Sequence, residues 1–226
     1  MKNRRLFFVL CCIFILSGCS FIQKARRADE LEVENSNLKY KISQLEKEKT
    51  KAVERVVEEK EKELSELEKA KLQLEESLKN EIGEYKAKLK MTERGLVITF
   101  VSEVFFDSGK DKVKQEGMSA LQKVAEVLNK DVPGSDVAIE GHTDNDPIKH
   151  SAWKTNWELS SARALAVLHY LVDECSVKPQ RLSANGYGEF RPVSPNDSTE
   201  NKQKNRRVEI VILPSKISKV KASPGV

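Results

Sequence analysis

Three stretches of the chain differ in how apolar and polar residues alternate. The first is an unbroken apolar run from Leu6 to Leu16, which follows the basic segment Met1–Arg5. A membrane-spanning helix needs about 20 apolar residues, so this run is too short to cross a bilayer. A basic start followed by a short apolar run is typical of a secretory signal peptide. The sequence therefore predicts a cleaved leader over residues 1–18.

The second stretch, residues 24–94, predicts a long charged helix. It has no proline and one glycine, and it consists mainly of strong helix formers. Leucines recur every seven residues at Leu31, Leu38 and Leu45, and the apolar spacing resumes later at Leu67 and Leu74. This pattern predicts a coiled-coil helix over 24–94 that would reach roughly 105 Å.

An apolar seam on a charged helix needs a partner, and the sequence offers no second helix of comparable length. The favoured interpretation is therefore a homo-oligomer formed through the coiled coil. Polar residues in the seam, Asn35, Lys49 and Lys71, weaken the association without excluding it. A single solvated helix or a partly disordered spacer is the alternative.

The third stretch begins at Gly95 and contains short apolar segments separated by turn residues. Its order, β-α-β-α-β-β, predicts an α+β domain over 95–213 with the helices on one mixed sheet, followed by a disordered tail over 214–226. Val104–Phe106 is expected to continue the first strand or to pair with it. The predicted elements are the strands 96–101, 137–141, 181–185 and 206–212 and the helices 113–128 and 156–172, the second helix capped by Asn156.

Charge excludes one class of partner. The formal net charge is +4, from 39 basic and 35 acidic residues, but Lys2, Arg4 and Arg5 lie in the predicted leader. Removing these three leaves 36 basic and 35 acidic residues, a net charge of +1. Binding to nucleic acid requires a basic surface in the mature protein, so no nucleic-acid partner is expected. Cys175 is the single cysteine of the predicted domain and is interpreted as a small, partly buried residue.

Several motifs of the third stretch occur in one order. They are Gly141-His142-Thr143-Asp144-Asn145, Asn156-x-x-Leu159-Ser160-x-x-Arg163-Ala164, Gly186-Tyr187-Gly188, Pro192 and Asn205-Arg206-Arg207-Val208-Glu209. This order resembles the OmpA-like peptidoglycan-binding family over about residues 100–213. The stretch 156–164, with the long loop before it, is most similar to the MotB branch of that family. The resemblance implies an OmpA-like βαβαββ domain that binds the diaminopimelate of the wall's stem peptide.

The free end of diaminopimelate carries an ammonium and a carboxylate, so its receptor needs one fixed anion and one fixed cation. Asp144 follows a predicted strand and is the candidate for the ammonium. Arg163 shares a helix face with Asn156 and Ser160 at i, i+4 and i+7, and its guanidinium suits the carboxylate. Taken alone, each has a structural alternative: Asp144 as a cap of its turn, and Arg163 as the partner of Asp173 or Glu158.

The other candidate binding residues lie nearby in the motifs. Asp107, Ser108 and Gly109 precede the first predicted helix, where free backbone N–H groups suit a second carboxylate. The resemblance adds Asn145 and makes Arg206 a further basic contact. His142 is interpreted as a structural residue hydrogen-bonded near the sheet end, and Arg207 as a solvated strand residue.

The leader ends in Leu16-Ser17-Gly18-Cys19, which resembles the lipobox of bacterial lipoproteins. That resemblance implies cleavage before Cys19, lipidation of Cys19, and a lipidated N-terminal segment over 19–23. Three acyl chains exceed the two hydrophobic signals that stable anchoring requires. Ser20, in place of the aspartate that retains family members in the inner membrane, favours the outer membrane with the chain facing the periplasm. An ordinary signal peptide is the alternative.

Three rival functions remain. His142-x-Asp144-x-Asp146 suggests a metallohydrolase, but a catalytic metal site usually takes three protein ligands, so no catalytic residue, metal or cofactor is expected. A MotB-like stator subunit needs a membrane helix with an acidic residue, and the sequence offers neither. The third rival is a structural component that docks another protein. The sequence thus favours a non-catalytic outer-membrane lipoprotein that tethers the membrane to peptidoglycan.

Overall fold

The computed structural model describes residues 2–84, 86–149 and 151–214, without the side chains of residues 2–23 and 25. The side chain of Cys19 and the tail beyond Pro214 lie outside the described part, and the predicted cleavage and lipidation stay predictions. The chain divides into two units, residues 1–58 and residues 59–226. No helix of the described part is both long and apolar enough to cross a membrane.

The first unit consists of helix α1, which spans Lys2–Ser77 and continues into the second unit. Every described side chain from Arg26 to Arg55 is exposed. The heptad leucines Leu31, Leu38 and Leu45 are 53%, 51% and 56% exposed. The apolar seam of this unit therefore has no partner within the described chain.

The C-terminal end of α1 belongs to the core of the second unit. Leu67, Ala70 and Leu74, together with Leu78 directly after the helix, are buried in the same apolar cluster as the sheet and the helices. Just beyond this end, Glu81 accepts a hydrogen bond from the ammonium of Lys123 at 2.8 Å. The later part of the seam is thus covered within the chain, and it needs no second copy.

The expectation of helix up to Arg94 is wrong. α1 ends at Ser77, a short helix α2 spans Lys79–Gly83, and a strand β1 spans Ala87–Thr92. Ala87, Leu89 and Met91 contact the core cluster, whereas Lys88 and Lys90 are exposed, which is the two-residue period of a strand. Leu89 also continues the helical spacing of Leu67 and Leu78, and this coincidence made the strand resemble helix.

The second unit is built on one mixed sheet, as predicted. Its strands follow the order β1-β2-β5-β3-β4, in which β3 and β4 are parallel and the other neighbours are antiparallel. β1 and β2 form a hairpin that adds an edge strand to the predicted set. The remaining strands are β2 (Gly95–Val101), β3 (Val137–His142), β4 (Leu182–Gly186) and β5 (Arg207–Ile212).

Four helices complete this unit, together with a short 3-10 turn at Pro179–Arg181. They are α3 (Ser102–Phe105), α4 (Gln115–Lys130), α5 (Asn156–Asp173) and α6 (Thr199–Asn205). α4 and α5 match the predicted helices. The expected strand at 104–106 is wrong, because α3 buries the consecutive residues Val104 and Phe105, which a strand with one buried face would not. α6 was not predicted; its N-cap is Ser198, whose hydroxyl accepts from the Asn201 N–H at 3.2 Å.

Close contact between α5 and the sheet positions the loops that follow β3. A Cβ on Gly141 would lie 2.1 Å from the carbonyl oxygen of Ser160, so only glycine allows this approach. The hydroxyl of Ser160 in turn accepts a hydrogen bond from the Gly188 N–H at 2.9 Å. The first turns of α5 are thereby fixed against the ends of β3 and β4.

Candidate functional site

A cavity of about 630 Å³ opens where β3 ends, beside α3 and the first turns of α5. Its charged lining consists of three acidic and three basic side chains, so their formal charges cancel. The charged lining residues are Glu103, Asp144, Asp146, Lys149, Arg163 and Arg206. The other lining residues are Ser102, Phe106, Ser108, Gly109, Thr143, Pro147, Ile148, Ser151, Asn156 and Leu159.

Asp144 directly follows Thr143 at the end of β3 and is 5% exposed. Its Oδ1 accepts from the backbone N–H of Asp146 at 3.1 Å, and its Oδ2 accepts from Nη1 of Arg206 at 2.7 Å. Asp144 therefore also caps the turn that follows its strand, as the structural alternative predicted. The carboxylate is fixed on one side by its own loop and on the other by a cation.

Arg206 joins two carboxylates of the cavity. Its Nε and Nη2 donate to Oε1 of Glu103 at 3.0 and 2.8 Å, while its Nη1 holds Asp144. Burial opposes the charge of Arg206, but the hydrogen bonds from Asp144 and Glu103 outweigh it and raise the pKa of Arg206. Glu103, from α3, was not among the predicted site residues.

Arg163 is 5% exposed, and its guanidinium donates to neutral groups. Nε donates to the carbonyl of Lys110 at 2.9 Å and Nη2 to the carbonyl of Asp107 at 3.1 Å. The longest contact, 3.5 Å, joins Nη1 to the hydroxyl of Ser102, and the guanidinium lies 5.1 Å from the ring centre of Phe106.

No ion pair joins Arg163 to a carboxylate in the described part of the chain. Neither Asp173 nor Glu158 pairs with it; Asp173 lies 3.9 Å from His169, and Glu158 accepts from the Lys154 N–H. Burial lowers the pKa of Arg163 to about 10, which leaves the side chain charged at neutral pH. A buried cation without an ion-pair partner favours an anionic ligand.

The segment 107–110 contributes in a different way from the one predicted. Asp107, Ser108 and Gly109 precede α4, which begins at Gln115, but they do not supply the free N–H groups of its N-terminus. Their role in binding stays a prediction. Ser108 and Gly109 line the cavity, and Gly109 has a φ of +66°, a conformation that favours glycine. The carboxylate of Asp107 is exposed and pairs with Lys110, and only its carbonyl reaches Arg163.

Asn156 is not the N-cap of α5. The cap is Thr155, whose hydroxyl accepts from the Glu158 N–H at 3.2 Å. The Asn156 amide instead donates to the carbonyl of Asp146 at 3.1 Å and to Oε2 of Glu189 at 2.6 Å. Asn156 thus ties the loop after β3 to α5, which holds Asp144 in place.

Two further motif residues depart from expectation. Asn145 is exposed and is not part of the cavity lining, whereas its neighbour Asp146 lines the cavity and pairs with Lys202 at 2.7 Å. Arg207 is 4% exposed and donates to Oε1 of Glu209 at 2.6 Å, so the expectation of a solvated residue is wrong.

His142 is 3% exposed and stacks on Tyr187, with ring centres 5.2 Å apart. Neither ring nitrogen has a hydrogen-bond partner, so the prediction that His142 is hydrogen-bonded is wrong. Burial, followed by the positive charges of Arg207 and Arg191, lowers the pKa of His142 to about 3. The imidazole is neutral in the folded protein.

One group of ligand-type residues lies close together in the described part, and it is not the predicted His142-Asp144-Asp146 set. It consists of Glu140, His142 and Glu209, whose ligand atoms lie within 4.8 Å of one another. Both carboxylates already accept from arginines, Glu140 from Arg94 and Glu209 from Arg207. The two arginines neutralise the charge that would attract a metal ion.

Comparison with known proteins identifies the domain. Residues 105–206 match the model of the OmpA family. Motility protein B of Bacillus subtilis (strain 168) is 40% identical over 149 residues, which is 66% of this chain and 57% of that protein. The chain spans about half the length of the curated relatives that it matches.

Solved structures agree with this match. The cell wall anchor of the T6SS from Pseudomonas aeruginosa is 30% identical with a TM-score of 0.56, covering 62% of this chain and 96% of that one. The periplasmic domain of Helicobacter pylori MotB (residues 78-256) is 30% identical with a TM-score of 0.54, covering 57% of this chain and 83% of that one. The chain therefore belongs to the OmpA family, and its second unit contains an OmpA/MotB C-terminal-like domain.

Proposed function

We propose that this protein binds peptidoglycan without catalysing a reaction, by holding the diaminopimelate of the stem peptide in the cavity beside α5. The observation that carries the proposal is the presence of Asp144 and Arg163 in one cavity, both buried and fixed by different partners. Asp144 takes the ammonium of the ligand and Arg163 takes its carboxylate. A cavity of about 630 Å³ is also within the range of small-molecule sites, roughly 300–1,000 Å³.

The partners of the two charges determine where the ligand binds. Nη1 of Arg163 makes the weakest of the three guanidinium contacts, 3.5 Å to Ser102, and is the group best placed to donate to a ligand carboxylate. Each oxygen of Asp144 accepts one hydrogen bond, which leaves lone pairs for an ammonium. Ser108 and Asn145 remain candidates for contacts to the rest of the peptide, Ser108 from the cavity lining and Asn145 from the exposed loop.

Wall binding is tested by co-sedimentation of the detergent-solubilised full chain with insoluble peptidoglycan. Binding is expected to sacculi that contain diaminopimelate, to fall with free diaminopimelate as competitor, and to be weak to walls that carry lysine in its place. Asp144→Asn and Arg163→Ala are expected to abolish binding. Asp173→Asn, an exposed acidic residue of α5, is the matched control. Equal pelleting of all four proteins would refute the site.

We further propose that Cys19 carries the lipid that anchors the chain in the outer membrane, so that the protein tethers this membrane to the wall. The support is the sequence Leu16-Ser17-Gly18-Cys19 behind a basic and apolar leader, with Ser20 after the cysteine. Metabolic labelling with a radioactive fatty acid is expected to mark the parent chain and not Cys19→Ser. Label retained in Cys19→Ser, or a parent chain that fractionates with the inner membrane, would contradict the tether.

A MotB-like structural component of a motor or another envelope assembly is the second candidate. It is favoured by the 40% identity to Motility protein B of Bacillus subtilis and by the segment Asn156–Ala164. This candidate predicts that the chain purifies with an inner-membrane partner, whereas the tether predicts outer-membrane fractionation. Both candidates require the cavity, so fractionation distinguishes them and wall binding does not.

A further inference from the structure

The exposed seam of the first unit follows a regular heptad between Leu31 and Val56. If the leucines Leu31, Leu38 and Leu45 are placed at position d, then position a falls four residues after each leucine. These a positions are Asn35, Ile42 and Lys49, and Val56 is the a position that follows the next d position, Ala52. Leu31, Leu38, Ile42 and Leu45 are all more than half exposed, so this face is not covered by the described chain.

The heptad register of residues 31–56 does not continue into the second unit. Leu67, Leu74 and Leu78, which are buried in the second unit, each lie one residue beyond the position that the first heptad predicts. The unit boundary at Glu58 and Glu59 falls between the two registers. The seam before this boundary therefore needs a different partner from the seam after it, which the domain itself covers.

The residues at a and d indicate how many helices pair. Leucine at d with β-branched residues at a, here Ile42 and Val56, favours two parallel strands. Asn35 and Lys49 at a restrict the register and the number of strands, because a polar side chain is tolerated best opposite its own copy.

The charges beside the seam fit a second copy of the same chain. In a parallel, in-register pair, a g residue faces the e residue five positions later on the other helix. Three of the four such pairs within residues 27–56 are of opposite charge, and the fourth, Glu48 with Val53, carries one charge only. The three pairs of opposite charge are Arg27 with Glu32, Glu34 with Lys39, and Lys41 with Glu46.

Within one helix, three of these charged residues have no neighbour of opposite charge. Residues three or four positions apart are neighbours on a helix surface. Glu34, Lys39 and Lys41 have no residue of opposite charge at any of these positions, and no ion pair joins them to another described residue. Their alternation is therefore explained by a partner helix and not by the stability of α1 alone.

We propose that residues 27–56 form a parallel, in-register, two-stranded coiled coil with a second copy of this chain. The dimer carries two copies of the cavity beside α5. The evidence for this dimer comes from the first unit alone, so the proposal does not depend on whether the cavity binds the wall.

Disulfide cross-linking of the full chain in intact cells tests the register. In a Cys175→Ser background, Ile42→Cys and Lys49→Cys at position a are expected to give disulfide-linked dimers, because identical a residues then face each other. Tyr40→Cys, at the outward position f, is the matched control and is expected to give none. A staggered or antiparallel pair brings at most one of the two a positions together. Cross-linking at f as strong as at a, or at only one a position, would overturn the proposal.

Charge reversal tests the choice of partner. Glu34→Lys places a lysine opposite Lys39 of the other helix, and it does so twice in a symmetric dimer. The cross-link at position 42 is therefore expected to be lost. Glu34→Lys combined with Lys39→Glu restores opposite charges between the helices and is expected to regain the cross-link. An unrestored double variant, or a detergent-corrected mass of the parent chain that corresponds to one or three copies, would refute the proposal.

Discussion

Arg206 donates from Nη1 to Oδ2 of Asp144 at 2.7 Å, so the carboxylate assigned to the ligand's ammonium is already held by a cation. The same guanidinium holds Glu103, which makes Arg206 the link between β3 and α3 at the cavity wall. A ligand that brings both an ammonium and a carboxylate can bind here without leaving a net charge in the cavity. In the proposed binding mode, a simple amine would leave Arg163 without an ion-pair partner.

Replacing Arg206 with glutamine is expected to weaken both folding and wall binding. The change leaves Asp144 buried without its charged donor, which costs about 1.5–3 kcal/mol of unfolding free energy. Urea unfolding measures the first effect and co-sedimentation with sacculi the second. Lys204→Gln removes an exposed cation from the neighbouring helix α6 and should change neither. Unchanged stability of Arg206→Gln would show that the ion pair contributes little.

Arg163→Lys is expected to lose wall binding although the positive charge is kept. The planar guanidinium reaches the carbonyls of Lys110 and Asp107 with two different nitrogens, and a single ammonium cannot reproduce this fork. Hydrogen exchange over 107–112 should accelerate in the variant. Lys110→Ala is the control, because it removes an exposed side chain and keeps the carbonyl that Arg163 uses. Full binding by Arg163→Lys would show that charge alone suffices.

The motif residues of the site could be predicted because they lie at fixed distances from recognisable elements. Asp144 follows a strand and Arg163 lies seven residues into a helix that starts at Asn156, and all three line the cavity. Glu103 could not be predicted, since it lies in the four-residue helix α3, whose apolar residues Val104 and Phe105 are typical of a strand. Side-chain hydrogen bonds such as those of Asn156 depend on the folded loop and have no signal in the spacing.

The elements of the fold likewise divide into those that the sequence predicts and those that it does not. The strands β2 and β3 and the helices α4 and α5 follow from apolar periodicity, and the structure has them within a few residues of the prediction. β1 was missed, because its alternation covers only Ala87–Thr92 and Leu89 also fits the preceding helix. When a short segment fits both the helical and the strand period, its conformation depends on the elements it packs against. Here the hydrogen bonds to β2 make it a strand.

Leu74→Ala is expected to destabilise the second unit, since α1 ends within its core. Leu74 is fully buried, and a leucine-to-alanine change at such a site costs about 2–5 kcal/mol. Leu45→Ala, at an exposed position of the same helix, should change the unfolding free energy of this unit by less than about 0.5 kcal/mol. The fluorescence of Trp153 and Trp157 reports unfolding of the second unit. Equal effects of the two changes would place the end of α1 outside the core.

His142 should make the folded protein sensitive to mild acid. Its pKa is lowered to about 3 in the folded protein, from an ordinary value of 6.5, because burial and the nearby arginines oppose its charge. In the unfolded chain the imidazole of His142 therefore binds a proton below pH 6.5, whereas in the folded protein it binds one only near pH 3. This contribution to stability is complete above pH 6.5 and is lost as the pH falls through that interval.

The expected loss between neutral pH and pH 5 is about 2 kcal/mol of unfolding free energy from this one side chain. Urea unfolding of the parent chain at pH 7 and at pH 5 measures the loss, and His142→Gln, which cannot titrate, should be less sensitive to pH by that amount. His169→Gln, which removes an exposed histidine of α5, is the matched control. If His142→Gln and the parent lost equal stability at pH 5, other groups would account for the sensitivity to acid.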